Sequence, residues 1–345
     1  MHTPTAARTV PATTGDYDAE FARIVDELTR RGFLAGGVGV AALAGLAACG
    51  SNSSGTGVAS TRTIDTPRGK VTVPVHPKRV MVLGTLPLFP ALDLGLRPIG
   101  SDLEANSTLL PPRYSDVMAK VTRAGSHNGN PNYEAIVEMK PDLILGLDAD
   151  GNIYPRLSEI APTVYVPFRD GASWQDRAQF IADALNRPDG LNNVKKSYEQ
   201  RVQSLKTDYA DVIAQYRWDV IKDWLDGTFV VYGKGDNQLA DILVQLGIPF
   251  ADASTSFDPN GDDQYSYERI AGKLSDAQVI VYWVDQTGKP IGTGQLFDTQ
   301  PWKNLPAVKA GRTFGITNMV PGSYGPAMDA LAEIEAILTK LKNQS

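Results

Sequence analysis

The sequence feature that most constrains the fold is a long amphipathic run between two stretches of different rhythm. Over residues 191–216, apolar side chains recur at spacings of three and four, which predicts one continuous helix. At about 1.5 Å per residue, such a helix is about 39 Å long. That length is sufficient to run from one domain to another. The residues that form its apolar stripe are Leu191, Val194, Tyr198, Val202, Leu205, Tyr209, Ile213 and Tyr216.

On both sides of this run, short apolar segments alternate with helical segments. This alternation predicts parallel sheets covered by helices on both faces, and the chain length favours two domains. Before the run, we predict a hairpin at 63–75, strands at 79–84, 98–101, 142–147 and 163–166, and helices at 89–96, 132–139, 154–160 and 174–185. After it, we predict strands at 219–225, 228–232, 278–284 and 312–316, and helices at 238–246, 266–274 and 326–341.

The N-terminal segment has the features of an export signal. Arg30-Arg31 precedes a Gly/Ala-rich apolar run, and small residues lead to Cys49, the only cysteine of the chain. Residues 1–48 therefore resemble a bacterial Tat-type lipoprotein signal peptide, with Cys49 as the lipidated residue. A membrane-spanning helix or a buried helix is the alternative, although four glycines weaken either one. Residues 49–62, rich in Ser and Gly, are expected to form a flexible tether.

Composition excludes some classes of function. The chain has 33 Lys and Arg residues against 39 Asp and Glu residues, a formal net charge of −6. Because a nucleic-acid binder needs a basic face to replace counterions, this balance argues against a nucleic-acid partner. A single cysteine allows no intrachain disulfide, so stability must come from packed cores.

Several segments in a fixed order resemble the class III substrate-binding proteins of ABC importers. They are Asn132-Tyr133-Glu134-Ala135-Ile136, residues 140–145, Ser266-Tyr267-Glu268-Arg269-Ile270, residues 276–281 and residues 302–308. Proteins of this group capture ferric siderophores, haem or cobalamin. The resemblance implies an α/β fold of two Rossmann-like lobes, 63–190 and 217–345, joined by the long helix 191–216. It also implies a ligand cleft between the lobes, which agrees with the rule that ligands bind beyond the carboxyl ends of parallel strands.

Glu134 and Glu268 occupy matching places, one near the start of a predicted helix in each lobe. In the family, these glutamates pair with arginines on the two permease subunits. The resemblance thus implies that a monomer docks on a permease dimer in the membrane. The alternative is that each carboxylate only interacts with a helix dipole, since Glu is common near helix N-termini.

The ligand of such a protein calls for flat aromatic walls and a cation. Trp and Tyr provide contact area at low entropic cost, and Arg can bind carboxylate or catecholate oxygens with two hydrogen bonds. For a Trp or Tyr at the end of a strand, packing in the core is the alternative role. Many siderophore binders of this type have an arginine where Asp223 stands here, which weighs against a strongly anionic ligand. The candidate ligand-binding residues are Arg169, Trp174, Trp224, Tyr232, Trp283, Asn318, Tyr324, His127 and Asn128.

The sequence offers little for metal capture or catalysis. After Cys49, the histidines are His76 and His127, too few for a bare transition-metal site, although His127 or a tyrosine could ligate haem iron. The chain lacks a Gly-x-Ser-x-Gly motif, and Lys234 is not in a Walker spacing. We therefore expect a non-enzymatic, lipid-anchored extracytoplasmic receptor for a ferric siderophore, without a resident cofactor. A haem or cobalamin carrier, or a surface hydrolase or adhesion module, remains the alternative.

Overall fold

The structure is a computed structural model. It describes residues 60–108, 110–125, 131–147, 153–166, 172–225, 227–235, 237–255 and 264–344. The predicted signal peptide, Cys49 and nearly all of the predicted tether lie outside these residues. Within them, no helix combines the length and the apolar character needed to cross a membrane.

The folded part begins with the expected hairpin. Strands β1 (Thr61–Thr66) and β2 (Gly69–Pro74) pair antiparallel around a turn at Gly69. The guanidinium carbon of Arg68, in that turn, lies 5.2 Å from the ring centroid of Tyr154 and 5.5 Å from that of Tyr165. These cation–aromatic contacts attach the hairpin to the first lobe.

The first lobe, the N-lobe, contains one parallel five-stranded sheet in the order β5-β4-β3-β6-β7. Its strands are β3 (Val80–Val82), β4 (Gly100–Ser101), β5 (Thr122–Arg123), β6 (Leu143–Leu147) and β7 (Thr163–Val166). Its helices are α1 (Thr85–Asp93), α2 (Ser115–Met118), α3 (Tyr133–Glu138), α4 (Tyr154–Ile160) and α5 (Trp174–Leu185).

Helix α1 begins four residues earlier than the sequence predicts. The helix contains Pro87 and Pro90, and proline is unfavourable in a helix interior. Pro87, however, lies in the first turn, where backbone N–H groups have no partner within the helix, and the helix accommodates Pro90.

The long linking helix is also different in detail. It begins at Pro188 and divides at Tyr209 into α6 (Pro188–Asp208) and α7 (Ala210–Gln215). Tyr209 leaves the helical conformation, with φ of −124° and ψ of 20°. Its hydroxyl lies 2.7 Å from the Thr339 hydroxyl on the C-terminal helix. In α7, Val212 and Ile213 are buried, while α6 packs against helices of both lobes.

The second lobe, the C-lobe, contains a mixed sheet in the order β10-β9-β8-β11-β12. Strands β8, β11 and β12 are parallel, and β9 runs antiparallel to both of its neighbours. The strands are β8 (Trp218–Asp223), β9 (Thr228–Tyr232), β10 (Gln264–Ser266), β11 (Val279–Trp283) and β12 (Thr313–Ile316). The helices are α8 (Gln238–Leu246), α9 (Asp252–Thr255), α10 (Ile270–Leu274), α11 (Gln300–Lys303), α12 (Pro306–Lys309) and α13 (Tyr324–Lys342).

One predicted helix of the C-lobe, 266–274, is wrong in its first half. Ser266 ends the edge strand β10, and Tyr267–Arg269 forms a single 3₁₀ turn before α10 begins. The Tyr267 N–H donates a hydrogen bond of 3.1 Å to the carbonyl of Gly227, in the turn between β8 and β9. This bond holds the chain beside β9, so the helix begins only at Ile270.

A continuous apolar core joins the two lobes through the linking helix. Trp174 of α5, Tyr198 of α6 and Tyr324 of α13 meet edge to face, with ring centroids 4.9 to 5.6 Å apart. They belong to one buried cluster that includes strands of both sheets. The fold is therefore α/β with two lobes and a long connecting helix, as expected, and its lobes are joined by packed side chains as well as by the chain.

A buried carboxylate, that of Asp219, lies in the C-lobe near the start of β8. Asp219 is fully buried, and its Oδ1 accepts a hydrogen bond of 2.8 Å from the Ser254 hydroxyl, whereas Oδ2 has no hydrogen-bond partner among the residues that the structure describes. Burial raises the pKa of Asp219 to about 7, and the nearby carboxylates of Asp276 and Asp252 add to that rise while Ser254 opposes it.

We predict that Asp219 makes the free energy of unfolding fall as pH rises. Because its pKa is higher in the folded state than the ordinary value of about 3.9, its contribution is fully present below about pH 4 and is lost as pH rises towards 7. Asp219→Asn should remove this dependence, a difference of about 2–4 kcal/mol between pH 4.5 and pH 8. Denaturant titrations at both pH values measure it, with Asp65→Asn on the exposed hairpin as the control. Equal pH slopes for the parent chain and Asp219→Asn would contradict the prediction.

Candidate functional site

A cavity of about 230 Å³ lies between the lobes, where the carboxyl ends of the parallel strands of both sheets meet. Its walls are mostly apolar, with a few polar groups, which is the usual character of a small-molecule site. The N-lobe contributes Thr85, Leu86, Phe89 and Thr108, and the C-lobe contributes Trp283, Asp285, Asn318, Gly322 and Pro326.

The N-lobe wall depends on the junction between β3 and α1. Gly84 has φ of +89°, a conformation that favours glycine, and so lets α1 start at the end of the strand. Its N–H donates a hydrogen bond of 2.7 Å to Oδ1 of the buried Asp102. This geometry brings the first turn of α1, with Thr85 and Leu86, to the cavity.

The C-lobe wall is formed by two loops that carboxylates hold in place. After β11, the Asp285 carboxylate accepts hydrogen bonds from the side chain and backbone of Thr287 and from the Lys289 N–H, which lower the pKa of Asp285. After β12, the Glu333 carboxylate accepts hydrogen bonds from the Thr317 hydroxyl and from the N–H groups of Thr317 and Asn318. Because Glu333 belongs to α13, the C-terminal helix positions the loop that carries Asn318.

Beside the cavity, a lysine lies between two tryptophans. Nζ of Lys222 is 4.0 Å from the ring centroid of Trp224 and 4.8 Å from that of Trp283. These distances permit cation–π attraction to both indoles. Partial burial lowers the pKa of the Lys222 ammonium. The cluster of Lys222, Trp224 and Trp283, which we name the Lys–Trp cluster, adds a cation and aromatic surface to the C-lobe side of the cleft.

Lys222 is absent from the residues predicted from the sequence, although the alternation of side chains along β8 indicates it. Side chains of successive residues in β8 point to opposite faces, so Lys222 and Asp223 cannot both face the cleft. Asp223 is 1 % exposed and accepts hydrogen bonds from the Tyr267 hydroxyl, the Thr293 hydroxyl and the Gly294 N–H. Asp223 therefore holds loops of the C-lobe together. Its charge is used in these hydrogen bonds, so its presence no longer weighs against an anionic ligand.

The predicted ligand-binding residues have different surroundings. Trp283 and Asn318 line the cavity, and Trp224 is half-buried just after β8, beside Trp283. Tyr232 ends the antiparallel strand β9 opposite Val220, away from the carboxyl end of β8, and packs against the shared core. Trp174 and Tyr324 instead lie in the shared core, 1 % and 4 % exposed, because their rings fill the contact between α5, α6 and α13. The remaining candidates, Arg169, His127 and Asn128, lie outside the described residues.

The two candidate docking glutamates are exposed, as docking requires. Glu134 lies in the first turn of α3, whose Asn132 side chain accepts the Ala135 N–H at 3.1 Å and caps the helix. Glu268 lies in the 3₁₀ turn before α10.

In the part of the chain that the structure describes, no group of three or more His, Cys, Asp or Glu side chains is arranged to hold a metal ion.

A cleft between two α/β lobes that share a long connecting helix defines a class III substrate-binding protein. The model of the family described as "Periplasmic binding protein" matches residues 104–319, more than half of the chain. The chain belongs to this family.

Similar proteins of known name or structure agree with this membership. The probable siderophore-binding lipoprotein YfiY of Bacillus subtilis is 30 % identical over 313 residues, covering 86 % of this chain and 95 % of YfiY. The iron(3+)-hydroxamate-binding protein FhuD of the same organism is 25 % identical, covering 79 % of this chain and 86 % of FhuD. The siderophore periplasmic binding protein from the fuscachelin gene cluster of Thermobifida fusca is 29 % identical with a TM-score of 0.64, covering 78 % of this chain and 98 % of that structure.

We predict that Lys222 titrates below the ordinary lysine pKa of about 10.4 and that the two indoles report it. Loss of the ammonium charge between the rings should change tryptophan emission with a midpoint below that value. The step should be missing in Lys222→Met. Fluorescence titration between pH 7 and pH 11 measures the difference, and Lys273→Met, which removes a cation 4.2 Å from the Tyr265 ring centroid, is the matched control. A Lys222→Met curve that superimposes on the parent curve would show that the prediction is wrong.

Proposed function

We propose that this chain is a lipid-anchored extracytoplasmic receptor that captures a ferric siderophore between its lobes and delivers it to an ABC importer. The observation that carries the proposal is the interlobe cavity with the Lys–Trp cluster beside it. Membership of the periplasmic binding protein family and the siderophore-binding names of several relatives support it.

The chemistry of an iron chelate fits this cleft. A ferric siderophore is large, partly apolar and rich in oxygen atoms. Trp283 offers it a flat apolar surface, the Asn318 amide offers a donor and an acceptor, and the Lys222 ammonium offers up to three donors to chelate oxygens. In this proposal the chelator supplies all ligands of the iron, so the protein needs no resident cofactor and breaks no covalent bond.

The predicted N-terminal segment places the receptor at its importer. Under the proposal, residues 1–48 are removed as a Tat-type signal peptide, Cys49 receives the lipid and the Ser/Gly-rich tether leaves the lobes free above the membrane. The lipoprotein name of YfiY supports this arrangement. A monomer with Glu134 exposed on one lobe and Glu268 exposed on the other matches an importer with two permease subunits.

Ligand capture can be tested by quenching of tryptophan emission. We expect a ferric trihydroxamate, a ferric tris-catecholate or a ferric citrate chelate to quench the parent chain, because Trp283 lines the cavity. Trp283→Phe should lower the quenching amplitude and weaken affinity about three- to tenfold, since part of the aromatic surface is lost. Trp302→Phe is the matched control, because Trp302 is buried in the separate core of the C-lobe.

Two results would overturn the proposal. One is the absence of quenching with every chelate tested. The other is a shifted haem absorption band on addition of haemin, lost in His127→Ala, which would identify a haem carrier instead. Equal effects of Trp283→Phe and Trp302→Phe would place the chelate away from the cavity.

Docking can be separated from capture. We expect Glu134→Ala combined with Glu268→Ala to lower iron uptake by cells at least tenfold, because two exposed carboxylates that pair with the permease are lost. The affinity of the purified chain for the chelate should not change. A variant with Glu138→Ala and Glu159→Ala, which removes two other exposed glutamates, is the matched control and should transport normally. Normal uptake by the first variant, or a loss of chelate affinity, would contradict the docking role.

A further inference from the structure

The end of helix α1 carries a carboxylate that is bonded mainly to the other lobe. Oδ2 of Asp93 accepts a hydrogen bond of 2.7 Å from the Ser323 hydroxyl and another of 2.7 Å from the Gly325 N–H. Oδ1 accepts the Tyr114 hydroxyl, also at 2.7 Å. Ser323 is the N-cap residue of α13, so an N-lobe side chain completes the cap of the C-terminal helix.

The fit around this carboxylate is close. A Cβ atom at position 325 would lie 2.2 Å from Oδ1 of Asp93 and 2.7 Å from the Tyr114 hydroxyl, so only glycine allows the approach. An ion pair between the lobes lies next to it, with Nε of Arg113 3.6 Å from the Asp329 carboxylate. Ser323 is fully buried, and the carboxylate is partly buried. Burial raises the pKa of Asp93, while the three hydrogen bonds and Arg113 oppose that rise.

Both helices held at this point also form the cavity. The first two turns of α1 supply Leu86 and Phe89 to the N-lobe wall, and Phe89 stacks on Tyr114 with centroids 5.5 Å apart. The C-lobe wall includes Gly322 and Pro326, which flank the N-terminus of α13. The Asp93 carboxylate therefore lies about one turn along α1 from the cavity residue Phe89 and bonds to both sides of the lobe junction.

We infer that Asp93 is a positioning residue that sets the separation of the two cavity walls by fixing the N-terminus of α13 to the end of α1. The carboxylate makes its bonds across the lobe junction, where a small displacement opens or narrows the cleft directly. Glycine at position 325 is the complementary part, because any side chain there displaces the carboxylate. A fixed wall separation keeps the cleft ready for its ligand, which reduces the cost of ordering the two lobes on binding.

Interlobe distances in the unliganded chain test this inference. Spin labels on Lys120→Cys and Lys309→Cys, exposed positions in different lobes, report the distance distribution by double electron–electron resonance, with Cys49→Ser to prevent a third label. Asp93→Ala and Gly325→Ala should each shift the distribution to longer distances and broaden it. Because both substitutions disrupt the same contact between Asp93 and Gly325, the double variant should shift the distribution no further than the single variant with the larger effect.

Two controls separate positioning from general loss of stability. Asp142→Ala removes a carboxylate that accepts two backbone hydrogen bonds, from Lys78 and Arg79, inside the N-lobe, and it should lower the melting temperature without changing the distribution. Asp93→Asn retains one carbonyl oxygen for Ser323 and Gly325, so it should keep the distribution of the parent chain.

The inference is overturned if Asp93→Ala and Gly325→Ala both give the parent distribution, or if Asp142→Ala broadens it equally. Should Asp93→Ala fail to fold, Gly325→Ala decides alone. The second readout rests on the proposed function: affinity for a ferric trihydroxamate should fall about two- to tenfold in both variants. The distance measurement uses no ligand, so a failure of the proposed function is distinguished from a failure of this inference.

Discussion

The structure depends on one packing contact, the meeting of Trp174, Tyr198 and Tyr324 at the linking helix. These rings come from the N-lobe, from α6 and from the C-terminal helix α13, so burying them unites three parts of the chain that are far apart in sequence. Edge-to-face aromatic pairs add about 0.5–1.5 kcal/mol each beyond the burial of their area. Because α13 belongs to this contact, its N-terminus and the Glu333 side chain that holds the Asn318 loop are positioned by the same core.

Much of the fold could be predicted from periodicity and apolar runs. The buried strands β6 and β7 and the helices α4 and α5 lie within a residue of the predicted bounds, since their patterns agree with their local propensities. The errors occur where tertiary contacts override a local signal. Tyr209 leaves the helix while its hydroxyl bonds to α13, and the Tyr267 N–H bonds to the Gly227 carbonyl where a helix was predicted.

The site was less accessible to prediction than the fold, for a physical reason. The rule that ligands bind at strand ends selected Trp283 and Asn318, which line the cavity. A choice of aromatic side chains near strand ends does not distinguish a ring that faces the cleft from one that faces the core, and so it also included Trp174 and Tyr324. Lys222 was missed because an arginine was expected at the position of Asp223. The alternation of the strand places the neighbouring Lys222 on the opposite face, beside Trp283.

The same core bears on how a solute-binding protein with two lobes can hold a ligand between them. If the lobes were joined by flexible segments, each binding event would have to order them, and that cost would reduce affinity. Here α6, α13 and the aromatic contact join the lobes, and the hydrogen bonds of Asp93 to Ser323 and Gly325 add a second connection between them. We expect a cleft organised in this way to need little closing motion. Under the proposed function, recognition depends on the side chains that line the cavity and on the Lys–Trp cluster beside it, which supplies both charge and aromatic surface.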